Sequence, residues 1–246
     1  MRFKPHKKLA NALGYDLQRI RKQVVIETHL RSLLRLLEVE TVLDVGANIG
    51  QYAQGLRDQI GFKGEIHSFE PIPSVYQALQ INAASDPKWH VHNYALSNDD
   101  GEAEIRISNS TTFSSLHDSN ERGQARFGEE LAVAETVSVP KRRLDTLLPT
   151  LELDLSKQTT FLKMDTQGHD HWVFDGAERV REHFVGLQSE VSVMGIYEDV
   201  PCYLEMLETY KKAGFELTAI FPVSRYENTG HIIELDCVCA RDCASE

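Results

Sequence analysis

The chain has 246 residues, a net charge of −11 and 41% hydrophobic residues, a composition typical of a globular protein. Its length suits a single domain with a large core. The acidic balance argues against a protein that coats nucleic acid, because duplex binding depends on Lys and Arg side chains that neutralise phosphates. No stretch approaches the ~20 apolar residues of a membrane-spanning helix, and we expect no secretory signal.

The amino-terminal segment is basic, in contrast to the rest of the chain. Residues 1–35 contain nine Lys or Arg and two acidic residues. Such a run is more often a solvated helix face than a binding surface, and weak peripheral contact with an anionic membrane is the alternative. Apolar residues recur at helical spacing over 13–38. We therefore predict an N-terminal helical extension at 1–40 and a main domain at 41–246.

Strand patterns and helical patterns alternate through most of the chain. The strand patterns lie at 41–47, 65–69, 89–94, 161–165, 185–193, 215–221 and 232–240. The helical patterns that follow the first strand lie at 51–59, 74–84, 170–182 and 201–213. This alternation predicts an α/β fold, with a mostly parallel sheet and helices on both faces. The last two strands are joined without a helix, which predicts an antiparallel pair at one edge.

Residues 98–150 interrupt the alternation. A strong turn at 98–101 precedes an alternating strand pattern at 102–107, a polar stretch at 108–120, a short strand at 134–139 and a helical turn at 144–148. Long polar loops inside a domain are usually functional. We expect an insertion that forms a lid over the carboxyl edge of the sheet, where open α/β folds bind their ligands.

The first strand ends in a motif that is typical of a nucleoside cofactor site. The sequence there is DVGANIG at 44–50, and the second strand ends at Glu70, 20 residues after Gly50. A nicotinamide dinucleotide site would need Gly-x-Gly-x-x-Gly, but Asn48 stands at the middle Gly. Asp44 suits a cationic ligand instead. S-adenosylmethionine (SAM) carries a sulfonium and an ammonium group, so we predict SAM and keep a dinucleotide as the alternative.

Several further segments, taken in order, resemble the FkbM family of SAM-dependent methyltransferases. They are FEP at 69–71, NYALS at 93–97, RLD at 143–145, LKMDTQG at 162–168 and ELDCV at 234–238. Together with the first motif they extend over about 41–241. The resemblance implies a class I methyltransferase fold, which is Rossmann-like, with a seven-stranded sheet and an antiparallel last strand. It also implies O-methylation of hydroxyl groups on sugars and natural products, and the length is similar to that of a branch that methylates a fucose on nodulation signals.

Cofactor roles follow from this assignment. Gly46, Asn48 and Gly50 would shape the turn around the methionine end of SAM, and Asp44 would orient it. Glu70 would bind the ribose hydroxyls through charge-assisted hydrogen bonds. The adenine would be flanked by three residues at the end of the third strand: Asn93, Ala95 and Leu96.

Methyl transfer to oxygen needs a proton acceptor beside the acceptor hydroxyl. His169 is the preferred base, because an imidazole with an ordinary pKa of ~6.5 accepts a proton near neutral pH. Asp165, at the end of the fourth strand of the main domain, is the second catalytic candidate. A helix cap for Asp165 and a surface position for His169 are the structural alternatives. Mg²⁺ would require oxygen ligands from Asp165, Asp170 and Glu190, and we predict no metal site.

The remaining expectations concern the acceptor and the cell compartment. The four Cys residues indicate free thiols in a reducing cytoplasm rather than a metal site. The predicted partner is a small-molecule or glycan acceptor, with no nucleic acid and no integral membrane segment. A non-catalytic module that binds SAM or a partner protein is the alternative from another class, and a dinucleotide-dependent oxidoreductase is the remaining one.

Overall fold

The computed structural model describes residues 25–108, 115–117, 119–151, 153–226 and 228–241. Within these ranges the strands are β1 (Thr41–Val45), β2 (Glu65–Phe69), β3 (Trp89–His92), β4 (Ala95–Leu96), β5 (Gly101–Ser108), β6 (Val133–Arg142), β7 (Thr160–Met164), β8 (Phe184–Ser192), β9 (Phe215–Arg225) and β10 (Ile232–Arg241). Seven of them form one sheet in the order β3-β2-β1-β7-β8-β10-β9. In that sheet β10 runs antiparallel to both of its neighbours and the other pairs are parallel. This confirms the predicted α/β class I fold with its antiparallel last strand.

The predicted antiparallel pair at one edge is confirmed. The strands β9 and β10 pair with each other, and because β10 lies between β8 and β9, β9 is the edge strand. The chain after β9 therefore turns back into the sheet instead of adding to its edge.

The two faces of the sheet carry separate apolar cores. Leu43 and Val45 of β1 belong to one core together with Leu162 of β7. Val42 and Phe161, the alternate residues of the same strands, belong to the other. Side chains in a strand alternate between faces, so both faces of β1 and β7 are covered and the near-continuous apolar character of these strands follows.

Helices cover both faces of the sheet. They are α1 (Ile26–Leu36), α2 (Gln51–Gly55), α3 (Pro73–Ala83), α4 (Glu121–Phe127), α5 (Leu144–Leu147), α6 (Asp170–Asp175) and α7 (Tyr203–Lys212). The helix predicted over 13–38 is present as α1, which buries Leu30, Leu33 and Leu34; residues 1–24 lie outside the described ranges. A π-helical turn, Leu56–Ile60, continues α2.

The helix predicted over 170–182 is shorter than expected. It ends at Gly176, where a Cβ atom would lie 1.9 Å from the carbonyl oxygen of Ser97. Gly176 therefore allows the end of this helix to pass close to the backbone of Ser97. A 3₁₀ turn, Arg181–His183, follows separately.

The insertion strands β5 and β6 form a small second sheet with β4, which lies just before the insertion, in the order β4-β6-β5. The insertion also contains α4, which has no apolar periodicity and was not predicted. Asn120 caps this helix, accepting a hydrogen bond from the backbone N–H of Gly123 at 2.9 Å. The Asn120 amide also donates to the carbonyl oxygens of Gly195 and Tyr197 at 2.9 and 3.0 Å. Contacts to the loop after β8 therefore hold α4 in place. The lid role of the insertion stays a prediction.

Candidate active site

A cleft opens at the carboxyl ends of β1, β2 and β7. From β1 the chain adds β2 and β3 on one side, and β7 and β8 lie on the other side. Ligands of open α/β sheets bind at such a switch point. Most of the predicted site residues lie in its wall: Gly46, Asn48, Glu70, Ala95, Leu96, Asp165 and His169. The other three lie behind the wall: Asp44, Gly50 and Asn93.

The turn after β1 approaches the neighbouring strand closely. Gly46 has φ +76°, and a Cβ atom there would lie 1.9 Å from the carbonyl oxygen of Asp165. Gly50 has φ +96°, and a Cβ atom there would lie 2.5 Å from the ring of Trp89. Asn48 takes the left-handed conformation between them, with φ 49°. Gly46 therefore brings the turn against the end of β7, and Gly50 lets it pack over the sheet.

Glu70 links the two strand ends that the sequence singles out. Its Oε2 atom accepts a hydrogen bond from the backbone N–H of Asn48 at 3.0 Å, and its Oε1 atom accepts one from Ile72 N–H at 2.9 Å. The side chain of Asn93 supports this turn by donating to the carbonyl oxygens of Glu70 and Pro71 at 2.8 and 2.9 Å. Burial raises the pKa of Glu70 to about 7. Each carboxylate oxygen keeps acceptor capacity for a ligand hydroxyl.

Asp44 does not face the cleft. It alternates with Leu43, points to the same face of the sheet as Val42 and is fully buried. Its Oδ1 atom lies 3.1 Å from Nζ of Lys163, and its Oδ2 atom accepts a hydrogen bond from Ser68 Oγ at 3.0 Å. The Asp44 carboxylate therefore stabilises the packing beneath the turn by binding Lys163 and Ser68. The predicted direct contact of Asp44 with the cofactor is not supported by this placement.

His169 lies in the cleft wall, but both of its ring nitrogens already have protein partners. Nδ1 lies 2.9 Å from Nε2 of His117, and Nε2 lies 2.9 Å from Oγ of Ser97. The ring also stacks on Trp172, with 4.9 Å between ring centroids. Burial, together with the nearby His117, lowers the pKa of His169 to about 3. His169 therefore lacks the ordinary imidazole pKa that would suit a base near neutral pH, and its catalytic role stays a prediction.

Asp165 is the accessible carboxylate of the wall. Its side chain is 38% exposed, and Oδ2 lies 3.5 Å from Nζ of the buried Lys163. The same ammonium group donates to the carbonyl oxygen of Gly46 at 3.3 Å. Lys163 thus connects Asp165 to the cofactor turn and places a positive charge below the carboxylate.

The sequence singles out Glu190 as an acid that could stand near Asp165, but not the group that Glu190 forms with Glu234 and Asp236. Glu190 on β8 and Asp236 on β10 are register partners, and Glu234 also lies on β10. Burial and the neighbouring carboxylates raise the pKa of Glu190 well above its usual range, and burial raises that of Asp236 to about 6. Only the strand order brings Glu190 beside Asp236, so no motif within a single strand shows this pair.

Asp170 has a structural role that the sequence left open. It is buried, and its Oδ1 atom accepts hydrogen bonds from the N–H and the hydroxyl of Thr166 at 2.9 and 2.6 Å. Its Oδ2 atom accepts from Ser189 Oγ at 2.7 Å and from Glu190 N–H at 3.2 Å. Asp170 therefore links the loop after β7 to β8 and fixes the distance between these two parts of the structure.

Two further observations concern the described residues only. Within these ranges, no group of three or more His, Cys, Asp or Glu side chains is arranged to hold a metal ion. None of the helices there combines the length and apolar content that crossing a bilayer requires.

Comparison with known proteins gives a family match and several similar folds. The domain model of the FkbM methyltransferases matches residues 44–217. A putative O-methyltransferase from Klebsiella pneumoniae is 9% identical, with 96% of this chain and 87% of that chain covered and a TM-score of 0.47. Magnesium protoporphyrin IX methyltransferase from Synechocystis, with bound SAM, is 9% identical, with 87% and 79% covered and a TM-score of 0.45. No curated protein matches.

The sheet order, the cleft at its switch point and the acid at the end of β2 define a class I SAM-dependent methyltransferase. SAM is the cofactor of this class, and the chain is an enzyme. The family match covers more than half of the sequence. The chain belongs to the FkbM methyltransferase family.

Proposed function

We propose that the enzyme transfers the methyl group of SAM to a hydroxyl group of a sugar or glycosylated metabolite. The observation that carries this proposal is the position of Asp165: a half-exposed carboxylate in the cleft wall, beside the cofactor turn. A carboxylate there can accept the proton that a hydroxyl loses as it is methylated.

The residues of the cleft fit SAM. Glu70 presents two carboxylate oxygens at the end of β2, each already oriented by a backbone N–H, and these suit the two ribose hydroxyls. Ala95 and Leu96 are buried and lie in the same wall, where they would contact the adenine. The turn at Gly46 and Asn48 would lie along the methionine end. When bound, SAM supplies a methyl group on a positively charged sulfur.

Asp165 is a better proton acceptor than His169 on geometric grounds. The oxygens of Asp165 are accessible from the cleft, whereas both nitrogens of the His169 ring contact protein groups. The ammonium group of Lys163 lies 3.5 Å from Asp165 and helps to hold its side chain in place at the cleft wall. We therefore assign proton acceptance to Asp165. His169 instead helps to hold His117 and Ser97 in place.

The acidic group beside Asp165 supports an uncharged, hydroxyl-rich acceptor. Carboxyl groups bind sugar hydroxyls well, because they accept hydrogen bonds when ionised and also donate when protonated. In their ionised form the same groups repel phosphate and carboxylate substituents. Glu190, Glu234 and Asp236 would thus favour a neutral sugar over its phosphorylated form.

We also place the reaction in the cytoplasm. Cys237 and Cys239 lie two apart on β10 and are buried free thiols, as is expected in a reducing compartment.

Methyl transfer from labelled SAM to a substrate panel tests the proposal. The panel contains neutral sugars and glycosides, sugar phosphates, catechols, amines and carboxylic acids. We expect a new methoxy group on a neutral sugar or glycoside and weaker turnover of the matched phosphate. Exclusive methylation of an amine or a carboxylic acid would overturn the proposed reaction.

A further inference from the structure

Gln167 occupies the boundary between the cofactor part of the cleft and the acidic group. It follows Asp165 by two residues and lines the cleft. Its backbone takes the left-handed conformation, with φ 52°, which is uncommon for a residue other than glycine. Its carbonyl oxygen accepts a hydrogen bond from Ser115 Oγ of the insertion at 2.8 Å. The backbone is therefore held in a costly conformation by a contact from the insertion.

The side chain of Gln167 has a defined orientation. Its Nε2 atom lies 3.4 Å from Oδ1 of Asp165 and 3.3 Å from Oε1 of Glu190. Carboxyl oxygens on both sides favour the nitrogen at this end, because only the nitrogen can donate. The opposite end, Oε1, accepts a hydrogen bond from the hydroxyl of Tyr197 at 3.0 Å. The amide thus bridges two carboxyl groups and is anchored by the loop after β8.

The bridge lies within a cluster of carboxyl groups. Burial, together with the carboxyl groups of Asp165, Glu234, Asp236 and Asp170, raises the pKa of Glu190 well above its usual range. An amide donor shared between Glu190 and Asp165 lowers the repulsion between them without adding a charge. Of the carboxyl groups around Glu190, the ammonium group of Lys163 forms its ion pair with that of Asp165, at 3.5 Å.

We propose that Gln167 is a positioning residue of the methyl-transfer reaction, which holds Asp165 and Glu190 in place on the acceptor side and is itself oriented by Tyr197. This inference rests on the proposed function of Asp165. The insertion and the loop after β8 would then both orient Gln167. Ser115 of the insertion binds its backbone carbonyl, and Tyr197 of the loop binds its side-chain amide. Neither segment needs to contact the acceptor for its removal to lower turnover.

Three variants separate this role from simple structural support. Gln167→Glu keeps the size and replaces the amide with a carboxyl group, and Gln167→Met removes the amide without adding a charge. Tyr197→Phe removes the hydroxyl that anchors the amide. Gln80→Glu is the matched control, because the exposed Gln80 amide also contacts a tyrosine hydroxyl, that of Tyr76 at 3.2 Å, on the outer surface of α3. For each protein we would measure kcat and KM for the acceptor and the affinity for S-adenosylhomocysteine.

Gln167→Glu and Gln167→Met should lower kcat by roughly 10²-fold, the lower end of what a positioned proton acceptor contributes. Tyr197→Phe should lower kcat by about 3- to 10-fold, the effect of one neutral hydrogen bond. S-adenosylhomocysteine affinity should change by less than about 3-fold, since the cofactor-binding carboxylate of Glu70 is untouched. Gln80→Glu should behave as the native enzyme. Native kcat in both Gln167 variants, or equal losses of cofactor affinity and kcat, would overturn the proposal.

A second readout does not depend on turnover. The Glu190 carboxyl can be followed by carbon NMR with labelled glutamate, assigned through Glu190→Gln. Loss of the bridging donor should move the titration of Glu190 to higher pH in Gln167→Met, with a smaller move in Tyr197→Phe. An unchanged titration would contradict the bridge. A shifted titration in an enzyme that methylates no hydroxyl would keep the bridge and reject the proposed function instead.

Discussion

Lys163 Nζ and Asp44 Oδ1 form a buried ion pair at 3.1 Å, directly beneath the cofactor turn. The two residues are register partners on β7 and β1. Burial alone would lower the pKa of Lys163, but the carboxylates of Asp44 and Asp165 raise it above its usual range. The acid of the first motif therefore supports the turn through the neighbouring strand, rather than from the cleft.

Removing one charge of this pair should be more harmful than removing both. Lys163→Met leaves Asp44 buried without its counter-ion, and we expect a loss of about 3–5 kcal/mol in the free energy of unfolding. The double variant Asp44→Asn, Lys163→Met leaves no unpaired charge and should lose less. Denaturant unfolding of the native protein and the single and double variants measures the coupling. Equal losses in the single Lys163 variant and the double variant would contradict the pairing.

Glu70 should control cofactor affinity in a pH-dependent way. Glu70→Gln keeps the shape but removes the charge, and we expect S-adenosylhomocysteine to bind about 1.5–3 kcal/mol more weakly at pH above 8, the range for hydrogen bonds to a charged group. The pKa of Glu70 is raised to about 7. Ribose hydroxyls donate best to the ionised form, so native affinity should rise as pH increases through about 7. Calorimetric titration across this range would reject the ribose role if the native and variant proteins showed the same profile.

The raised pKa of Glu70 also has a consequence for folding. The folded chain holds this proton more tightly than the unfolded chain, in which the pKa is near 4.5. The contribution of Glu70 to stability therefore becomes less favourable as pH rises from about 4.5 to 7. Glu70→Gln should remove that part of the pH dependence from the unfolding of the cofactor-free protein.

Two glycines close in sequence should respond oppositely to alanine. At Gly46 a Cβ atom would lie 1.9 Å from the carbonyl oxygen of Asp165, and φ is +76°. Gly46→Ala must displace the turn or the end of β7, so we expect loss of cofactor binding. At Gly55, inside α2, a Cβ atom would meet nothing within 4 Å. Gly55→Ala should stabilise the fold by roughly 0.5–1 kcal/mol and leave binding intact. Normal cofactor binding by Gly46→Ala would show that the close approach is not required.

The sequence was sufficient for the parts of the site that lie within one strand and the turn that follows it. Glu70, Gly46 and Asp165 each end a strand or begin its turn, and all three line the cleft. Asp44 shares the sheet face of Val42 and pairs with Lys163, a contact between strands that the motif alone does not show. Its role in orienting the cofactor stays a prediction.

Contacts between distant segments were not readable from the sequence. The partners of His169 are His117 and Ser97, which lie 52 and 72 residues away. Glu190 and Asp236 meet only because β10 inserts beside β8. These contacts depend on strand order and on the docking of the insertion, neither of which a motif encodes.

The most direct test of the account compares Asp165→Asn with His169→Gln on the first hydroxyl acceptor that the enzyme methylates. Asp165→Asn should lower kcat by roughly 10²–10⁴-fold, the contribution of a positioned proton acceptor, with S-adenosylhomocysteine affinity nearly unchanged. His169→Gln should retain most of the native kcat, because both ring nitrogens serve protein contacts. The opposite result would contradict the assignment of Asp165 as the proton acceptor: native kcat in Asp165→Asn, and a roughly 10²–10⁴-fold lower kcat in His169→Gln.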